Sequence, residues 1–147
     1  MRTKVVIMDL FEVPAEYTLA HCVAADFRMR AGIALQFRRR YPEMASLLDS
    51  KAGEKNRPGV VVYTNNDGRT VANIVTKKYS HLKPTRKNFN LGIDALHKYC
   101  KLYGVTKLAI PLLGAGLDKL DWDESYDYIK EKFSDLPIDI VVCEFKK

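Results

Sequence analysis

Three cysteines, Cys22, Cys100 and Cys143, are too few and too widely spaced for a disulfide framework or a zinc knuckle. Each stands in apolar surroundings, which suits a small core residue better than a catalytic thiol. No apolar run approaches the ~20 residues of a membrane span. The opening segment, Met1 to Asp9, reads as a short strand whose apolar part is too brief for a signal peptide. A cytosolic or nuclear location is therefore expected. There is no Gly-x-x-x-x-Gly-Lys-Ser/Thr phosphate loop, no Gly-x-Ser-x-Gly elbow and no His-Glu-x-x-His metal helix. His21, His81 and His97 lack metal-ligand spacing. No internal repeat, low-complexity tract or linker interrupts the chain, and 147 residues favour one domain over 1–147.

What is present describes a globular protein: 47% hydrophobic and 29% charged residues, enough to bury a core. The net charge of +6 favours phosphate-bearing partners. Arg38-Arg39-Arg40 is not one basic face, because three consecutive helical positions point in three directions. It reads as a solvated helix end.

Strand-like and helix-like segments alternate. Thr3–Asp9 and Tyr17–Ala24 are apolar, strand-type runs. Ala31–Tyr41 is helical, with Ile33, Phe37 and Tyr41 on one face, and Pro42 opens a short helix to Leu48. Gly53 to Pro58 is a polar loop. Val60–Thr64 and Thr70–Val75 flank Asn65-Asn66-Asp67-Gly68, a hairpin turn signal. Phe89, Ile93, Leu96, Cys100 and Tyr103 give an amphipathic helix from Pro84 to Tyr103, stopped by Gly104. Val105–Ile110 is a buried-type strand. Asp121 caps a helix, with Glu124 three residues on. Trp122, Tyr126, Ile129 and Phe133 are its inner stripe. Ile138–Phe145 is the closing strand, before two terminal lysines. The order implies an α/β domain with a central sheet and helices on both faces. In such sheets ligands sit at the carboxyl ends of the strands.

Three stretches follow predicted strands: 25–34, 76–81 and 112–119. In the last, Leu112-Leu113-Gly114-Ala115-Gly116-Leu117-Asp118, the glycines let backbone amides approach a ligand and form an anion nest with an acid at its rim. The same spacing also serves ordinary turns. In the first, Ala31 and Gly32 open a helix whose free amides suit a phosphate, and Arg28 and Arg30 add charge. Alternatively, Gly32 permits close packing. In the second, Lys77 is either a solvated strand end or a nucleophile. A nucleophilic lysine needs desolvation or a neighbouring cation, for which Lys78 is placed. His97 lies beside an apolar stripe and reads as structural; His21 reads as core or pocket wall.

In this order the motifs resemble a macrodomain, and more narrowly its terminal ADP-ribose protein glycohydrolase branch. The resemblance rests on Asp9-Leu10-Phe11, Leu19-Ala20-His21-Cys22-Val23, Arg28-Met29-Arg30-Ala31-Gly32-Ile33-Ala34, Thr76-Lys77-Lys78, Lys83-Pro84-Thr85, Gly104-Val105-Thr106 and Gly114-Ala115-Gly116-Leu117-Asp118. It implies a three-layer α/β/α sandwich with a central mixed sheet and an ADP-ribose cleft above it. It places Asp9 and Leu10 at the adenine, beside Ala24 and Phe145. It sets Arg28, Ala31, Gly32 and Ile33, together with Leu113, Gly114, Ala115, Gly116 and Leu117, around the diphosphate and distal ribose. It makes Lys77 the nucleophile at the anomeric carbon and Asp118 the acid that assists release, with no metal or redox cofactor. The implied partners are ADP-ribose and ADP-ribosylated protein, or ADP-ribosylated nucleic acid, with no membrane. A monomer is the default expectation. The chain departs from the branch at Arg30 and Met8, where glycine is usual, at Ala24, where serine is usual, and at Ala115, where cysteine is common.

Three other functions compete with the hydrolase. A reader module binds ADP-ribose without cleaving it, but generally lacks the Lys–Asp pair. A phosphatase acts on ADP-ribose 1″-phosphate, with His21 or Asp118 serving. A simple nucleic-acid binder lacks any recognised module here.

Overall fold

The structure, a computed structural model, describes residues 1–53 and 57–145. Part of the polar loop between Gly53 and Pro58, and the terminal Lys146 and Lys147, lie outside the described residues. Among these residues six strands form one sheet: β1 (Arg2–Ile7), β2 (Thr18–Ala24), β3 (Gly59–Thr64), β4 (Thr70–Lys77), β5 (Lys107–Ile110) and β6 (Asp139–Glu144). Their spatial order is β1-β6-β5-β2-β4-β3. Only β3 runs antiparallel to its neighbour, β4, through the hairpin at Asn65–Gly68; the other pairs are parallel. Gly68 closes that turn at φ +86° and donates its amide to the Asn65 carbonyl.

Helices cover both faces, as the alternation of segments implies. On one side α1 (Gly32–Arg40) and α2 (Pro42–Ser50) bury Phe37, Met44 and Leu48 against Leu19, Val23, Val71 and Val75. On the other, α3 (Arg86–Tyr103) and α4 (Trp122–Phe133) bury Phe89, Ile93, Leu96, Ile129 and Phe133 against Ala72, Ile74, Leu108, Ile140 and Val142. The period of 3.6 along each helix and of 2 along each strand assigns these side chains to their layer.

Two sequence expectations are refined. The long helix begins at Arg86, because the Thr85 hydroxyl accepts the Asn88 amide at 3.0 Å and is the cap; Pro84 lies before it. In α4, Asp121 caps as expected by accepting the Glu124 amide at 2.9 Å. Of its stripe, Ile129 and Phe133 are buried, whereas Trp122 and Tyr126 stack on each other half-buried at the margin. A 3-10 turn at Leu10–Glu12 follows β1, where the sequence carries no periodic signal.

Candidate active site

The carboxyl ends of the parallel strands open into one cleft of ≈ 740 Å³. That is the scale of a pocket for a nucleotide-sized ligand. Asp9 and Leu10 line it at the end of β1, with Phe145 after β6 and Ala24 at the end of β2. One Asp9 carboxylate oxygen is engaged, accepting the Phe11 amide at 2.9 Å to start the 3-10 turn. Phe145 is exposed and leaves a flat aromatic face at that end.

Across the middle of the cleft two main-chain turns face each other. Ala31, Gly32 and Ile33 enter from the start of α1, where the first helical amides have no intrahelical acceptor. Leu113, Gly114, Ala115, Gly116 and Leu117 enter from the turn after β5. In that turn the Gly116, Leu117 and Asp118 amides have no protein acceptor among the described residues. Gly32 has φ +58°, and a Cβ there would lie 3.4 Å from Leu117 Cδ1, so the turns close on one another. Amides without a protein acceptor, on residues that line the cleft from both sides, suit an anion.

At the cleft floor Lys77 Nζ lies 2.7 Å from Asp118 Oδ1, with side-chain exposures of 15% and 16%. The two residues stand 41 apart in the chain: Lys77 ends β4, and Asp118 lies in the turn after β5. Lys77 reaches this point through an irregularity in β4. Val23 stands opposite Val75, but Ala24 stands opposite Lys77, so the register shifts and Thr76 is the extra residue. Such a bulge re-aims the side chains that follow it.

Cys22 borders the pair. Burial and then the Asp118 charge push its thiol well above the ordinary range, outweighing Lys77 and the Gly114 amide. A neutral thiol is a poor nucleophile, so Cys22 is a wall of the cleft. Cys143, at the other end, is pushed up to about 11 by burial and by Asp9.

One placement differs from the sequence expectation. Arg28 does not line the cleft. Its guanidinium turns to Asp26 at 3.7 Å, and its carbonyl accepts Arg38 at 2.6 Å. The left-handed backbone at Phe27 and Met29 (φ 48° and 49°) reverses the loop twice and buries both side chains, so Arg30 meets the cleft instead. Of the two readings open for His21, core or pocket wall, the structure selects the core. His21 is fully buried, stacked on Phe37 at 3.9 Å, with Nε2 2.6 Å from Asn73 Oδ1. Asn73 Nδ2 donates to the Val61 carbonyl, so its oxygen accepts and His21 Nε2 carries the proton. Burial lowers the His21 pKa to about 4, with the Asn73 hydrogen bond opposing. His21 is a core residue and cannot serve a phosphatase step in the cleft.

Sequence reasoning missed part of the wall. Leu82 lines the cleft between His81 and Lys83, the latter from the Lys83-Pro84-Thr85 stretch. The one signal for Leu82 is position, in the connection that follows a parallel strand. Among the described residues no group of three or more His, Cys, Asp or Glu is placed to hold a metal, and no helix is long and apolar enough to cross a membrane.

No family model matches the chain. The human ADP-ribose glycohydrolase OARD1 is 37% identical over 134 residues, covering 91% of this chain and 86% of that protein. The macrodomain of Thermus aquaticus DarG superposes with a TM-score of 0.86 at 26% identity, covering 96% of this chain and 97% of that one. This chain belongs to the macrodomain family. The macrodomain also shares 32% identity over 120 residues, 78% of its length, with the DNA ADP-ribosyl glycohydrolase of Mycobacterium tuberculosis, of which the match spans 34%. The mixed sheet between two helical layers is the fold shared with the Thermus aquaticus DarG macrodomain.

Proposed function

We propose that this macrodomain is a hydrolase that removes ADP-ribose from modified acidic side chains or nucleic-acid bases, with Lys77 as nucleophile and Asp118 as its proton partner. The observation that carries the reading is the 2.7 Å Lys77–Asp118 contact on the cleft floor, next to the amides that suit an anion. The relatives named as ADP-ribosyl glycohydrolases support it.

The chemistry follows from that contact. The two turns hold the diphosphate and so fix the distal ribose, which supplies proximity. For an acyl adduct, the bond from the anomeric carbon to the ester oxygen breaks and the carboxylate leaves with the electron pair. Lys77 Nζ bonds to the anomeric carbon and passes a proton to Asp118, which lies within proton-transfer reach. The Asp118 carboxylate also stabilises positive charge that develops on the sugar. Water then adds at the same carbon and gives its proton to solvent, the amine departs and takes back the proton held by Asp118, and free ADP-ribose is released.

The test mixes the protein with ADP-ribosylated protein and with ADP-ribosylated DNA and measures free ADP-ribose. Lys77→Ala is expected to bind ADP-ribose by calorimetry but to lose turnover by about 100-fold or more, and Asp118→Ala to lose it comparably. Binding without release from either substrate identifies a reader. Release of phosphate from the 1″-phosphate alone identifies a phosphatase.

A further inference from the structure

We propose that Asp26 is a positioning residue for Lys77, acting as a latch between the loop after β2 and the segment that leaves β4. The β3–β4 ladder ends at the Gly59–Val75 pair, so from Thr76 onward β4 has lost its outer neighbour. The register shift falls at the same place. An arm with four rotatable side-chain bonds is thus rooted where the sheet gives least support.

The support comes from β2's continuation. The Ala25 amide donates to the Lys77 carbonyl at 2.9 Å. One residue on, Asp26 Oδ2 accepts the Ser80 amide at 2.8 Å, and Oδ1 accepts the Ser80 hydroxyl at 2.5 Å and the Arg28 amide at 3.2 Å. Residues 77 and 80 are therefore pinned on either side of Lys78 and Tyr79. The Asp26 side chain is 17% exposed. Three donors converging on a half-buried carboxylate need both of its oxygens; an asparagine, with one acceptor oxygen, cannot satisfy them.

The kinetic arm of the test rests on the proposed role of Lys77; a labelling arm does not. Acetylation of Lys77 by an amine-reactive ester is followed by peptide mass spectrometry in wild type, Asp26→Asn, Asp26→Ala and Asp118→Ala. Lys77 is expected to label several-fold faster in both Asp26 variants, towards its rate in Asp118→Ala, with Lys101 unchanged. Turnover is expected to fall about tenfold in kcat with KM and ADP-ribose affinity nearly unchanged, since a small misplacement of a reacting group is costly. Ser80→Ala, which deletes only the hydroxyl contact, is expected to shift both readouts less in the same direction, and it replaces the Asp26 variants should they not fold. Unchanged Lys77 labelling in folded variants would overturn the latch. So would a loss of kcat matched by equal losses of affinity and thermal stability, which marks a general prop. Faster labelling in the Asp26 variants, with no turnover even in the wild type, would leave the latch standing and remove the nucleophile.

Discussion

Two glycines in the same turn have different jobs. Gly114 sits at φ +74°, and a Cβ on it would lie 2.9 Å from Phe89 Cε2 and 3.2 Å from Leu120 Cδ1. Gly114→Ala combines left-handed strain with overpacking against a buried ring, and is expected to cost about 2–4 kcal/mol in urea denaturation. Gly116 has nothing within 4 Å of such a Cβ. Gly116→Ala is expected to change stability by about 0.5 kcal/mol or less in the same measurement. Arg30 belongs to this scale too. It lines the cleft and has no ion-pair partner among the described residues, whereas Arg28 has Asp26. Arg30→Gly is expected to leave the melting temperature within a degree or two and to weaken ADP-ribose binding by about threefold to tenfold in low-salt calorimetry, the loss shrinking as salt is added.

Elements whose signals are local were the ones legible in the sequence. The hairpin follows from Asn65-Asn66-Asp67-Gly68, and α3 from the spacing of Phe89, Ile93, Leu96 and Cys100, which are buried on one face, whereas Tyr103, expected on the same stripe, is exposed at the end of the helix. Its start was misplaced by two residues because a proline and a threonine competed for the same turn, and the hydroxyl won by satisfying the Asn88 amide. Thr85→Ala is accordingly expected to cost about 1 kcal/mol by thermal or urea denaturation, while a change at Pro84 costs less. The candidate site was legible as three strand-end stretches and as a lysine and an aspartate, because each carries its own motif. What was not legible depends on residues far apart in the chain. The extra residue at Thr76 arises from pairing with β2, and Asp26 finds Ser80 54 positions away. The reversal at Phe27 and Met29, which exchanges Arg28 for Arg30 at the cleft, comes from burying two apolar side chains in a short loop, and no residue there favours positive φ.

For the molecule as a whole, pH response follows from one buried ring. His21 is neutral in the fold down to about 4, whereas in the unfolded chain it takes a proton near its ordinary 6.5. Between those values the unfolded chain binds more protons, so stability is complete above about 6.5 and declines as pH falls towards 4. The loss is on the order of 3 kcal/mol. Asp26 is held below its ordinary 3.8: burial acts to raise it, and the Ser80 hydroxyl and amide, with the Arg28 amide, outweigh that. Its contribution is lost only at still lower pH. Urea titrations at a series of pH values are expected to show this slope for wild type and a flatter one for His21→Gln. Finally, β1 and β6 lie side by side and run the same way, although one opens and the other closes the described chain. The polypeptide therefore comes in at one rim of the sheet and goes out at the other, and Phe145 stands at the exit, against the cleft. A surface tether or affinity handle joined ahead of Met1 leaves the mouth clear, whereas a bulky fusion placed after Phe145 overhangs it and would slow the entry of large modified substrates.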